Sequence, residues 1–212
     1  KVGANGIALG TKGGKITANT ATTVEVDGVK GLGAYVENGG SIDSNFDIKV
    51  KSAEGIGMYV KGGAVNSVAK VSEIKGNKSI GYVFENVTNA VNITNSVQLT
   101  DASATEQVGV VAQGTGNGLT VTGISVVGSG NTGVYSSTGG TVTNNGTLTV
   151  GDSTGKSSIG IYSKGGAVTS NGNATIGKNS VGIYGKDAGV ELSGDMTIAE
   201  KGIGLYVDNT DA

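Results

Sequence analysis

The side chains that most often carry out chemistry in proteins are scarce in this sequence. Its 212 residues contain no Cys and no His, which removes thiolate nucleophiles, Cys-based zinc sites and the commonest general base. All 15 basic residues are Lys, and the net charge is −2. Because Arg is absent and the lysines are scattered, we expect no nucleic-acid partner. Of the usual catalytic groups, carboxylates alone remain possible in principle.

The 17 carboxylates are the first candidates, since a pair of them can act as acid and base or bind calcium. No DxD or DD pair lies on a recurring strand face, and the calcium-binding repeat GGxGxDx is absent. We therefore expect no catalytic residue, no metal site and no enzyme.

One glycine motif matches a phosphate-binding pattern. Residues 128–133 read GSGNTG, which fits GxGxxG, and Asp152 follows about twenty residues later. A dinucleotide site needs the third glycine to open a helix. Gly133 is instead followed by Val134 and Tyr135, which belong to a repeat, so we expect no bound cofactor.

The repeat is a block of the form aliphatic-Gly-aliphatic-Tyr. Complete copies begin at residues 32, 56, 159, 181 and 203, and weaker copies begin at residues 7, 80, 108 and 132. A turn follows the block, often Gly-Gly as at Gly39-Gly40 and Gly139-Gly140, and two further short strands complete the unit. Proline is absent, as expected where nearly every strand is paired on both sides.

Three short strands in every 22–28 residues are typical of one coil of a parallel β-helix. We predict an all-β fold, a right-handed parallel β-helix (a three-sided β-solenoid) of about nine coils and roughly 40 Å in length. Alternation along the block predicts that Ile56 and Met58 point inward and that Gly57 and Tyr59 point outward. The interior would be a dry aliphatic column, with a glycine stripe beside a tyrosine stripe on one outer face.

Two surface features are candidates for binding a partner. The first is the tyrosine stripe, which could stack as a ladder or receive a sugar ring or partner chain. The second is an irregular region at about 82–131, in which residues 100–107 have no counterpart in regular coils and are expected to protrude as a mobile loop. The candidate partner-binding residues are Tyr35, Tyr59, Tyr135, Tyr162, Tyr184, Tyr206, Asp101 and Glu106.

Three blocks resemble passenger domains of large type V autotransporter adhesins, most closely the fusobacterial RadD-like outer-membrane adhesins. They are SIGIY at 158–162, NSVGIYGK at 179–186 and TNNGTLTV at 143–150. The resemblance is one of repeat texture and covers the whole chain. It implies a β-helix stalk exported through the outer membrane and displayed at the cell surface. It also implies a parent protein anchored by a C-terminal outer-membrane β-barrel outside this stretch.

We therefore expect residues 1–212 to be a single β-solenoid segment of a longer passenger domain. Its expected role is to mediate or present adhesion to another cell through a protein or glycan receptor. Two alternatives stay open, a β-helical polysaccharide-degrading enzyme and a self-associating extracellular fibre subunit. An acidic cluster in a groove would favour the enzyme, and a monomer at high concentration would count against the fibre.

Overall fold

The computed structural model describes residues 1–114, 118–137 and 140–209. Within these ranges the chain forms twenty-four strands and no helix. Every strand pairing is parallel and joins a strand to its equivalent one turn further along the chain. Thr132, for example, pairs with Ile159, which pairs in turn with Val181. The predicted all-β parallel β-solenoid is confirmed.

One sheet runs through the whole molecule and contains the repeat block. Its nine strands, in spatial order, are β1 (Ile7–Lys12), β4 (Leu32–Glu37), β7 (Ile56–Gly63), β9 (Ile80–Val87), β12 (Val108–Gln113), β15 (Thr132–Ser137), β18 (Ile159–Lys164), β21 (Val181–Lys186) and β24 (Ile203–Asp208). We call this surface the first side.

The other two sides are each divided into two sheets. The second side comprises β2 (Lys15–Ile16) with β5 (Ser41–Ile42), and then β10 (Val91–Ile93), β13 (Leu119–Val121), β16 (Val142–Asn144), β19 (Val168–Ser170) and β22 (Val190–Leu192). The third side comprises β3 (Thr22–Val26), β6 (Phe46–Val50) and β8 (Lys70–Ile74), and then β11 (Val97–Leu99), β14 (Ile124–Val126), β17 (Leu148–Val150), β20 (Ala174–Ile176) and β23 (Met196–Ile198).

The strands make eight complete turns, and β24 begins a ninth. The predicted count of about nine is therefore one too many. The first side has nine copies of the block, and only eight complete turns lie between the first copy and the last. The right-handed sense of the coil stays a prediction. Among the predicted Gly-Gly turns, Gly39 has a φ of 79°, which suits a residue without a side chain. Gly139 lies outside the described residues.

The predicted faces are wrong at two positions of the block. Met58 is buried and Tyr59 is half-buried, as expected, but Gly57 is buried and Ile56 is half-buried. A Cβ added to Gly57 would lie 2.5 Å from the carbonyl oxygen of Gly81 in the next turn and 2.9 Å from the core side chain of Val71. Two consecutive residues, the glycine and the one after it, therefore face inward, and strict alternation fails there.

The outer face consequently carries an aliphatic stripe beside the tyrosine stripe, in place of the expected glycine stripe. At Gly57 the glycine is required inside because the backbone of the next turn passes too close for a side chain. The half-buried residues of the aliphatic stripe are Leu32, Ile56, Ile80, Val108, Ile159 and Val181, with Thr132 at the same position.

The interior is one continuous core that is mainly aliphatic but not entirely so. Asn144, Ser163 and Ser170 are buried within it in the later turns, where Asn144 Nδ2 donates a hydrogen bond to Ser170 Oγ at 3.2 Å. The prediction of a dry aliphatic column is therefore too simple. Small hydroxyls and an amide fit there because each finds a partner inside the column.

Tyr82 is the largest departure from the aliphatic interior. It occupies the inward position of Met58 in the next turn, is buried, and packs against Phe84 with ring centroids 5.9 Å apart. The burial of its phenol raises the pKa of Tyr82 to about 12. Its hydroxyl accepts a hydrogen bond from the Val71 backbone N–H at 2.7 Å.

Candidate functional site

The six candidate tyrosines lie on the first side at one repeat position, as predicted, and their rings stack between turns. Tyr35 and Tyr59 form a tilted pair with centroids 5.7 Å apart. Tyr135, Tyr162, Tyr184 and Tyr206 form a continuous ladder in which each pair of centroids is 5.1 Å apart. Val83 and Val111 hold the same position between the two groups.

The stacking determines what the ladder can contact. Interplanar angles of 2°, 24° and 8° mean that the ring faces of Tyr162 and Tyr184 are covered by their neighbours. A sugar packs on the face of an aromatic ring, so the inner rings of the ladder cannot bind one in that way. What they present outward is ring edges and phenol hydroxyls.

Two of the phenols interact with carboxylates from the following turn. The Tyr59 hydroxyl donates a hydrogen bond to Glu85 Oε2, and this bond, with burial, raises the pKa of Tyr59 to about 12. Tyr184 Oη lies 3.5 Å from Asp208 Oδ2, and burial together with that charge raises the pKa of Tyr184. These contacts hold the phenols in their protonated form and join successive turns.

The segment 100–107 forms a hydrogen-bonded corner between the third and first sides. Ala104 and Gln107 are buried, and Asp101 Oδ2 accepts a hydrogen bond from the Gly76 N–H at 3.3 Å. The corner at 151–158, two turns later, has the same length and leads in the same way from the third side to the first. The expectation of a protruding loop without a counterpart is therefore wrong, because its inward residues pack against the neighbouring turns.

Asp101 acts as a turn residue within this corner. Its Oδ1 accepts hydrogen bonds from the backbone N–H and the hydroxyl of Ser103, at 3.1 and 2.6 Å. The Ser103 hydroxyl bond is the main reason that the pKa of Asp101 is lowered, with the backbone N–H groups adding to it.

Glu106 belongs to a column of alternating charges along the same corner. It forms an ion pair with Lys156 Nζ at 2.9 Å and a longer one with Lys78 at 3.8 Å, and Lys156 is the main cause of its lowered pKa. Lys30 and Glu54 pair at 3.6 Å two turns earlier. Glu106, Lys78, Glu54 and Lys30 all have φ between 57° and 60°, so the corner uses a left-handed residue in each of these turns.

The candidate residues thus do not form one site. In the described part of the chain, no hydrogen bond, ion pair or ring contact joins Asp101 or Glu106 to a candidate tyrosine. All eight interact with neighbouring residues or turns of the same rod. Their structural roles are evident, and whether they also contact a partner stays a prediction.

Sequence reasoning missed a break in the coil between the third and fourth turns. On the second side, residues 64–69 lie between β5 and β10 without forming a strand. The side chain of Asn89 replaces the missing pairing: its Oδ1 accepts from the Val65 N–H at 2.7 Å and its Nδ2 donates to the Val65 carbonyl at 2.8 Å.

The third side is interrupted at the same level. No backbone pairing joins β8 to β11 among the described strands, and Ser72 is an extra residue in the register of β6 with β8. Val71 bonds instead to side chains, its N–H to the Tyr82 hydroxyl and its carbonyl to Asn95 Nδ2 at 3.2 Å. Only the first side continues through this level. The segment 64–69 and the extra Ser72 precede residue 82, where the sequence placed the start of the irregular region, whereas Asn89 and Asn95 lie within that region.

The break leaves two shallow depressions on adjacent sides of the rod, and the corner at 94–96 lies at the edge of the second one. One is lined by Val65, Asn66, Ser67, Val68, Asn89, Ala90 and Asn92, and the other by Lys70, Ser72, Asn95, Ser96 and Gln98. The sequence signal for this site is an amide at every third position of the fourth turn. These residues are Asn86, Asn89, Asn92, Asn95 and Gln98.

The described residues contain no group of three or more His, Cys, Asp or Glu side chains that could hold a metal ion. They also include no helix of the length and apolar character needed to cross a membrane. Comparison of the chain with protein-family models, with curated proteins and with solved structures finds no match. The architecture defines the protein as a parallel β-solenoid whose second and third sides are interrupted at one level while its first side is continuous.

Proposed function

We propose that this chain is a stalk segment of a bacterial autotransporter adhesin, displayed at the cell surface, and that it presents or mediates contact with another cell. The observation that carries the proposal is the uninterrupted nine-stranded sheet on the first side, closed over one core through eight turns. Such an arrangement builds length from one repeated local environment, which is what a spacer requires.

The roles of the repeat residues support a spacer better than a catalyst. The tyrosines stack on one another, and the corner charges pair between turns. The inward residues pack in the hydrophobic core. Side chains used in this way join successive turns of the described rod, whereas catalytic groups must converge on a common point from several directions.

Surface display can be tested on intact cells that produce the parent protein. An antibody raised against this chain should label intact cells, and an added protease should remove the label without breaking the cells. Labelling that requires prior cell lysis would overturn the proposal.

The adhesive role needs a second experiment in the parent protein. Removing residues 1–209 should reduce adhesion to partner cells while export continues. A matched control replaces them with the same number of regular turns copied from residues 133–181. Restored adhesion would assign a spacer role, and failure to restore it would assign binding to the irregular turns. Unchanged adhesion in both variants would contradict the proposal.

A further inference from the structure

We propose that the two depressions at the break form a binding site for a neutral oligosaccharide. The inference goes beyond the stalk proposal, because it assigns the third and fourth turns a ligand of their own. It rests on the unpartnered polar groups around the break, on their charge and on the rigidity of the wall that carries them.

The first argument is hydrogen-bonding capacity. In the described part of the chain, six amide or hydroxyl side chains around the two depressions have no hydrogen-bond partner. Amides and hydroxyls both donate and accept, which matches the hydroxyl groups of a sugar. The six are Asn66, Ser67 and Asn92 in the first depression and Ser72, Ser96 and Gln98 in the second.

The second argument is charge. Among the described residues, none that is charged lines the first depression, and Lys70 is the one charged residue that lines the second. The half-buried Val68 and the exposed Ala90 give the first depression an apolar part that can contact the C–H groups of a sugar ring. A phosphorylated or polyanionic ligand would find a single lysine, whereas a neutral ligand finds matching polar groups throughout.

The third argument is that the walls are fixed before a ligand arrives. Asn89 bonds to both backbone groups of Val65, and Asn95 bonds to the Val71 carbonyl and accepts from the Tyr82 hydroxyl at 3.1 Å. These two amides fix the backbone at the edges of the gap, and the side chains of Asn92 and Gln98, which have no hydrogen-bond partner among the described residues, project from the same turn. A backbone that is already fixed loses little conformational entropy on binding.

The tyrosine ladder is a weaker candidate for the same ligand. Its inner ring faces are covered, so a sugar ring has no aromatic face to stack on there. The amides at the break make their contacts through hydrogen bonds, and these select for the arrangement of hydroxyls on the sugar.

The test uses the purified chain and an array of neutral oligosaccharides, with polygalacturonate and heparin fragments as anionic comparators. We expect retention of at least one neutral oligosaccharide and weaker retention of the anionic ones. Its affinity, measured by titration calorimetry, should fall roughly tenfold or more in the double variant Asn92→Ala/Gln98→Ala, because two hydrogen-bonding groups are lost.

A matched control lies one turn further along the rod. Thr120 and Ser125 are the register partners of Asn92 and Gln98, so Thr120→Ala/Ser125→Ala changes the same outward positions outside the break. Its affinity should equal that of the parent chain. All four positions are at least partly exposed, and circular dichroism should show both variants folded.

Three results would overturn the proposal: no neutral oligosaccharide bound at millimolar concentration, equal losses in both double variants, or preferential retention of the anionic comparators. The experiment contains no cells. Its failure would therefore leave surface display and adhesion untouched, and a failure of those tests would leave the sugar site standing.

Discussion

At the residue scale, the central glycine of the block is the position that the fold tolerates least. A Cβ at Gly160 would lie 2.6 Å from the carbonyl oxygen of Gly182 and 2.6 Å from Leu148 Cδ1. The first contact is with backbone of the next turn, so relief would require two turns to separate. The same contact recurs at the equivalent glycines from Gly33 to Gly182, whereas a Cβ at Gly204, in the last copy, would instead meet the side chains of Met196 and Ile198.

We expect Gly160→Ala to lower the free energy of unfolding by roughly 1–3 kcal/mol, because overpacking forces the backbone to shift. Gly189→Ala is the matched control, since no atom lies within 4 Å of its added Cβ, and it should change stability by less than about 0.5 kcal/mol. Denaturant titration followed by circular dichroism measures both. Equal losses would show that the close approach is not the cause.

Tyr59 illustrates how a stripe residue responds to pH. The Glu85 carboxylate favours the protonated phenol, and the folded-state pKa rises from 10 to about 12. A group with a raised folded pKa stabilises the folded state fully below its unfolded pKa. That contribution is lost as pH rises from about 10 to about 12.

Spectrophotometric titration should therefore show an absorbance change near pH 12 from the ionisation of Tyr59, and this change should disappear in Tyr59→Phe. Glu85→Gln should move the midpoint of this absorbance change down toward the ordinary tyrosine pKa. Between pH 10 and about 12 the unfolding midpoint of the parent should fall more steeply than that of Tyr59→Phe. An unchanged titration in Glu85→Gln would contradict the assignment of the shift to this hydrogen bond.

At the element scale, the break is maintained by side chains that replace strand pairing. Asn89 satisfies the N–H and the carbonyl of Val65, a residue that is only 7% exposed. Removing the amide would leave two backbone groups of a buried residue without a protein partner, and such groups are costly.

We expect Asn89→Ala to cost roughly 1–3 kcal/mol of unfolding free energy. Asn92→Ala, three residues further along the same turn, removes an exposed amide without a hydrogen bond and should cost less than about 0.5 kcal/mol. Thermal or denaturant unfolding of the two variants makes the comparison. A similar cost at both positions would mean that Asn89 does not replace the strand.

The strands could be predicted from sequence because every turn has the same environment and therefore the same pattern. The positions of the six stripe tyrosines followed for that reason. The directions in which Ile56 and Gly57 face could not be predicted from sequence, since they depend on how closely the next turn approaches Gly57. The break was missed for a similar reason, because the bonds of Asn89 and Asn95 involve residues 24 positions away in the preceding turn.

At the scale of the whole molecule, the break divides the rod into a block of three turns and a block of five. Solenoid stability is approximately a sum over turns and over the interfaces between neighbouring turns. Between the third and fourth turns, only the first side has backbone pairing among the described strands, and the second and third sides have none. Side-chain hydrogen bonds of Asn89, Asn95 and Tyr82 supplement that pairing. The interface between the two blocks is therefore the weakest in the stack.

Hydrogen exchange at increasing denaturant should reveal this division. Amides of β3, β6 and β8 should lose protection at lower denaturant than amides of β14, β17 and β20, because the smaller block has fewer interfaces. Mass spectrometry of peptides from both blocks measures the order. A single transition at one denaturant concentration would show that the continuous first side alone couples the two blocks.

The parallel pairing from turn to turn also determines how the rod yields to mechanical tension. Its hydrogen bonds run along the long axis, so a pull on the two ends opens them one turn at a time, in the manner of a zipper. A turn of 22–28 residues that contributes about 4.8 Å when folded extends to roughly 80 Å when peeled away. Single-molecule stretching should thus record successive steps of about that size. A single abrupt rupture of the whole rod would contradict this. A tether that lengthens stepwise dissipates the energy of a sudden pull, which would rupture a tether that cannot extend.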